Sequence, residues 1–358
     1  MSDARSLSPT PRWATPRLLV FVAIAVLGLL YVKWLPYWHR GFTAAADHAI
    51  GPSILMGTAA HAPAPSLAAA LAYALAYGKA IWKAMALGLL LGSGAQALLP
   101  ADWIARLLGK HRFGSAVAGG LLSLPGMMCT CCAAPVVIGL RRQQASAGGA
   151  IAFWLGNSVL NPATLVFMGF VLGWRWTALR LVLGVAMVFG LGYLANRLTS
   201  AREAARAEAS VAALAAAPPA AAWDAPFRRW LRILGRMTLQ LVPEYVILVL
   251  LLGAGRAWLF PTIGPEIGNQ IEWVAAFAVA GALFVIPTAG EVPIIQAMLS
   301  LGIGAGPVGA LLMTLPPISL PSLAMLSRSF PPRILAVVSA VVVLFGLAAG
   351  GLAIALGF

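Results

Sequence analysis

All three cysteines of the chain, Cys129, Cys131 and Cys132, fall within four consecutive positions, and Pro125 and Pro135 flank them. Thiolates are soft ligands that select thiophilic partners such as cuprous copper, zinc or trivalent arsenic. Cys129 and Cys132 share one face if that turn is helical, and Cys131 and Cys132 are adjacent, so two or three sulfurs can converge on one atom. A helix beginning near Pro135 would set its positive end beside them and stabilise negative charge on a sulfur. The three are therefore candidate substrate ligands and candidate metal ligands. A single cysteine reads as well as a small buried hydrophobe; it is the concentration in one proline-bounded stretch that points to ligand or redox chemistry.

A second proline-bounded stretch, Pro287 to Pro293, contains Glu291 and Thr288. A carboxylate at membrane depth is a functional candidate, and proton coupling is its expected use; capping of exposed backbone donors is the competing reading. Asn157 and Asn161 lie four apart with Ser158 between them, and Thr314, Ser319 and Ser322 occupy the corresponding turn later in the chain. Substrate contact and interhelical hydrogen bonding explain these polar side chains equally well. His39, His48 and His61 are scattered and read as loop residues, and Glu244 with Lys83 is a conceivable intramembrane pair.

The elements that must position these residues are membrane helices. Apolar residues make up 61% of the chain, charged residues 9%, and the mean hydropathy is +0.90, whereas soluble domains carry about 25% charged residues. The net charge of +14 does not point to nucleic acid. The basic residues stand in short runs beside apolar segments, as cytoplasmic loops of membrane proteins do. The sequence predicts an N-terminal anchor helix and external segment over 1–65, a first transmembrane repeat over 66–198, a cytoplasmic linker over 199–235 and a second repeat over 236–358. The fold class is an all-α polytopic membrane protein with about eight full crossings and two re-entrant or broken helical hairpins, its N-terminus cytoplasmic. Prolines at membrane depth break a helix, and broken backbone is tolerated there only inside protein or beside water.

The two repeats align. Gly92, Gly94 and Pro100 match Gly253, Gly255 and Pro261, each 161 positions on (253 − 92, 255 − 94, 261 − 100), and CTCCAAP faces TAGEVP. Basic residues crowd loops of the first copy at 106–112 and 141–142, whereas the second copy carries them at Arg328 and Arg333. The copies are therefore expected to be inverted, with a binding site near the midplane where the breaks meet. Arg175, Arg180 and Arg256 are exceptions to this charge pattern.

The run MMCTCCAAPVVIGLRRQQASAGGAIAFWLGNSVLNPATLVFMGFVLGW, together with IPTAGEVPIIQAMLSLGIGAGPVGALLMTLPPISLPSL, resembles the bacterial predicted-permease family that includes the organoarsenical exporter ArsP and the YraQ-like permeases. The resemblance covers about two thirds of the chain and implies a permease of the bacterial inner membrane. ArsP itself is an efflux protein for trivalent methylated and aromatic arsenicals; with the cysteines and the repeat, the expectation is export of a thiophilic substrate, a trivalent organoarsenical or soft metal, by alternating access. No cofactor is expected, and no G-x-x-x-x-G-K-[ST] motif for an ATP motor occurs. A homo-oligomer stays open, and the alternative is a membrane thiol-disulfide protein using vicinal Cys131 and Cys132.

Overall fold

The computed structural model describes residues 14–55, 63–99, 101–109, 113–199, 224–260 and 264–358. His61, the charged stretch 200–223 of the expected linker and the basic residues 110–112 lie outside them.

The charge-free run after Arg17 forms α1 (Ala14–Leu29), which passes through one π-helical turn, Leu30–Trp34, into α2 (Leu35–Asp47). Helix thus continues where the sequence predicts an external segment from residue 36. Pro36 does not stop it, because it sits in the first turn of α2, where a missing donor costs nothing. Ser66 caps α3 (Leu67–Leu98) by accepting from the Ala69 amide. This is one unbroken helix of 32 residues. Lys79 and Lys83 do not interrupt it; both are exposed and line a large cavity.

The short α4 (Ala101–Leu108) leads to α5 (Phe113–Ser123), which stops just before Pro125. After this first break come α6 (Thr130–Arg142), α7 (Ala147–Val159), α8 (Pro162–Val171) and α9 (Trp174–Leu198). The second half begins with α10 (Asp224–Leu259) and α11 (Ile271–Leu283). The second break follows, then α12 (Glu291–Ser300), α13 (Ala305–Thr314), α14 (Leu320–Leu326) and α15 (Pro332–Ala355). Six helices among the described residues are long and apolar enough to cross a membrane: Pro16–Asp47, Leu67–Leu98, Ala147–Val171, Trp174–Leu198, Phe227–Leu259 and Pro332–Ala355. Three shorter apolar helices, Phe113–Ser123, Ile271–Leu283 and Ala305–Thr314, accompany them. The chain is a multi-pass, all-helical membrane protein.

Its two halves pack alike. In the first, α5 lies on α7 and α9, and α7 on α9; in the second, α11 lies on α13 and α15, and α13 on α15. Between halves α3 runs along α10, α6 meets α14, and α12 meets α8. Caps correspond too: Ser146 and Gly304 precede α7 and α13, and Asn161 and Ser319 precede α8 and α14, both pairs 158 apart (304 − 146, 319 − 161). Each break turns on a left-handed residue two positions after its proline, Met127 with φ 48° and Ala289 with φ 64°. The correspondence is not complete: α6 packs along α3, whereas α14 rather than α12 packs along α10.

Glycine lets α6 reach α3. A Cβ on Gly88 would lie 2.1 Å from the Cys132 carbonyl oxygen, and one on Gly92 would lie 2.2 Å from that of Pro135. The G-x-x-x-G spacing puts both on one helix face, the arrangement that brings membrane helices into backbone contact. Gly88→Val and Gly92→Val should each lower the thermal stability of the purified protein, by about 1–3 kcal/mol as overpacking does. Gly78→Val on the same helix should not, since nothing lies within 4 Å of that position.

Candidate functional site

The first break is held open by side chains from elsewhere in the fold. Trp34 donates its indole N–H to the Pro125 carbonyl at 2.8 Å, Trp154 donates to the Thr130 carbonyl at 3.1 Å, and the Met128 amide donates to Asn157 Oδ1 at 3.4 Å. Cys129 caps α6 and its carbonyl accepts from the Ala133 amide at 3.0 Å. The helix therefore begins five residues earlier than the sequence suggests, and Pro135 lies inside it.

This early start decides where the sulfurs go. Cys129 and Cys132, three apart on the first turn, bring their sulfurs to 2.9 Å, and all three thiols are free and buried. Cys131 turns the other way, toward Ser319 Oγ at 3.5 Å. The vicinal pair expected for redox chemistry thus does not face itself; the paired sulfurs are those of Cys129 and Cys132. Among the described residues no group of three or more His, Cys, Asp or Glu side chains that could hold a metal ion occurs.

The second break is bound to the first half of the chain. Tyr73 and Tyr77 on α3 donate their hydroxyls to the carbonyls of Val285 and Ile286. Lys33, in the π-helical turn, donates to Thr288 Oγ1 at 3.0 Å and to the Tyr37 hydroxyl at 3.2 Å. Neighbouring residues of that turn, Lys33 and Trp34, therefore each hold one break. A π-helical turn at a functional site is a recurrent device.

Glu291, at the first residue of α12, accepts from Arg180 Nη1 at 2.6 Å, and both side chains are almost wholly buried. The same guanidinium donates to the carbonyls of Ser158 at 2.7 Å and Val159 at 3.1 Å, where α7 ends. One arginine thereby joins α9, α7 and α12. From the sequence Arg180 is only an exception to a charge rule; a lone arginine inside an apolar span, with a lone glutamate inside another segment, was the signal for this pair. The Glu244–Lys83 pair does not form, because Glu244 receives Arg328 at 2.8 Å and Lys83 approaches the Tyr31 hydroxyl.

Cys129, Thr130, Ser158, Thr288 and Glu291 line one small crevice of about 10 Å³ between the breaks, room for about one water molecule. Of the residues expected from the sequence, Cys129, Thr288 and Glu291 meet there, with Cys132 behind Cys129. Asn157 ties the first break, Asn161 caps α8 by accepting from the amides of Ala163 and Thr164, and Ser319 caps α14 and touches Cys131. A much larger cavity of about 850 Å³ adjoins, and Pro287, Thr288 and Ala289 form part of its wall too.

The family model named ArsP_1, described as predicted permease, matches residues 66–354. The chain belongs to this family of predicted permeases. The permease is 51% identical over 359 residues to UPF0718 protein YraQ of Escherichia coli (strain K12), an alignment covering 98% of this chain and 99% of the relative. It is 23% identical over 310 residues to UPF0718 protein MJ0584 of Methanocaldococcus jannaschii, covering 68% and 83%. No solved structure matches it.

Removing one partner of a buried ion pair leaves an uncompensated charge and costs about 3–5 kcal/mol, whereas replacing both with apolar residues costs far less. Arg180→Met should therefore lower the unfolding temperature of the purified permease strongly. The double change Arg180→Met with Glu291→Met should recover most of the loss in the same melting experiment.

Proposed function

We propose that this permease exports a small thiophilic solute by alternating access, with Cys129 and Cys132 as a soft two-sulfur ligand at the crevice between the two breaks. The observation that carries this reading is the convergence of those sulfurs at 2.9 Å beside a crevice that Thr288 and Glu291 also line. Two thiols at that spacing suit an atom that takes two sulfur ligands, such as arsenic(III) in an organoarsenical or a soft metal ion as cargo. Arg180 and Glu291 are the charged pair that parts or re-forms as one half rocks against the other, and a proton can replace Arg180 as partner of the carboxylate during that step.

The inverted arrangement is supported by where the helices are anchored. Gln143, at the end of α6, donates to the carbonyls of Ala95 and Gln96 at the end of α3, and the next residues pack near Asn196 at the end of α9. Gln296 on α12 instead donates to the His48 carbonyl, and His48 bonds Phe170 near the start of α9. The helices that follow the breaks thus leave toward opposite ends of the 25-residue α9. Basic residues cluster at the first of these ends, which is read as cytoplasmic by the positive-inside rule. On this reading the N-terminus is cytoplasmic and the membrane is the bacterial inner membrane.

One observation favours a second reading: C-x-x-C at a helix N-terminus, sulfurs paired, is also an arrangement for dithiol exchange. The two readings separate in cells. In a host sensitive to trivalent arsenicals and soft metals, wild type should raise resistance to at least one of them, and Cys129→Ser and Cys132→Ser should each abolish the gain. Cys131→Ser should keep most of it, since its sulfur faces Ser319. Equal resistance of wild type and Cys132→Ser across the panel would contradict the soft-ligand reading.

A further inference from the structure

The 850 Å³ cavity lies between the π-helical turn and α2 on one side and α3 on the other, with Pro287, Thr288, Ala289 and Gly290 of the second break in its wall. Lys33, Arg40, Lys79, Lys83 and Arg256 all line it, and no Asp or Glu is among its described lining residues. Arg40, Lys79 and Lys83 are exposed, but Lys33 is only 4% and Arg256 only 8% exposed.

Neither buried cation faces a carboxylate among the described residues. Lys33 has two hydroxyl partners, Thr288 and Tyr37. Arg256 donates Nη1 to the Leu55 carbonyl at 3.4 Å and lies over the Tyr73 ring, while its buried Nε has no hydrogen-bond partner. Buried charges are ordinarily paired, because an uncompensated one is costly in a low dielectric. A buried ammonium and a buried guanidinium, both lining one cavity and neither facing a carboxylate, are what an oxyanion completes. The remaining wall is largely apolar, with Val32, Ile54 and Trp82 available to an organic body.

We propose that this cavity is a binding site for an oxyanion-bearing organic ligand, a carboxylate, sulfonate or phosphonate, with Lys33 and Arg256 as its counter-charges. Thr288 lines both this cavity and the sulfur crevice, so a solute carrying an anionic group and a thiophilic atom reaches both at once. That last clause rests on the proposed export route; the anion site itself does not.

The test uses the full chain in phosphatidylcholine nanodiscs, titrated with phenylphosphonate or with benzyl alcohol as a neutral match, with the melting temperature as readout. Phenylphosphonate should give saturable stabilisation and benzyl alcohol none. Lys33→Gln and Arg256→Gln should each weaken the response at least tenfold, and the exposed double change Lys79→Gln with Lys83→Gln should weaken it severalfold even if the buried variants fold poorly. Failure of the sulfur reading is seen separately, in the resistance of Cys129→Ser and Cys132→Ser cells, which does not enter this titration. Stabilisation that appears only when phosphatidylglycerol is added, and is lost in the same variants, would assign the oxyanion to a lipid headgroup. No response to either anion, or one unchanged in the Lys and Arg variants, overturns the proposal.

Discussion

The contact between Arg180 and Glu291 is the constraint to which the rest of the site answers. Two opposite charges share an interior with little water, so each is stable there only while the other is present. Because Arg180 stands on α9 and Glu291 opens α12, that mutual need fixes the first half of the chain against the second. The remaining donors of Arg180 are spent on the carbonyls where α7 ends, which are free to accept because α7 stops before Asn161. A single side chain thus satisfies a carboxylate and the exposed end of a helix, and it does so one crevice wall away from the sulfurs.

Around this pair, both breaks would be unstable without supports from outside. Their carbonyls and amides have left the helical ladder, and in the protein interior each must find another partner. The partners are Tyr73, Tyr77, Trp34, Trp154 and Asn157, all from helices flanking the breaks. The N-terminal helix therefore does more than anchor the chain: its π-helical turn carries Lys33 and Trp34 to the two breaks together. Close approach of α6 through Gly88 and Gly92 then packs the cysteine turn against α3 without a gap.

Much of this architecture was legible in the residues. Prolines 125 and 287 mark the breaks, the N-caps Asn161 and Ser319 fall at matching positions, and apolar runs bounded by arginine outline most of the long helices. What escaped depended on long-range geometry. Arg180 has no local feature that names Glu291, 111 positions away, as its partner. The choice between Cys131 and Cys132 as neighbour of Cys129 hangs on the residue at which α6 begins, and helix boundaries are the least certain part of any sequence reading. An external segment was expected from residue 36, but Pro36 occupies a first turn, where it fits, and the helix runs on. Arg256 was only an exception to the charge pattern, and no local feature marks it or Lys33 as enclosed by the fold.

The account stands most directly on whether Cys129 and Cys132 act as one ligand. Phenylarsine oxide condenses with two thiols to give a dithioarsonite and one water, which intact-mass measurement on the purified permease detects as a single added phenylarsenic group. Wild type and Cys131→Ser should each take up one group per chain, and Cys129→Ser and Cys132→Ser should take up none. Uptake that needs Cys131 as much as Cys132, or no uptake by the folded wild type, would contradict the account.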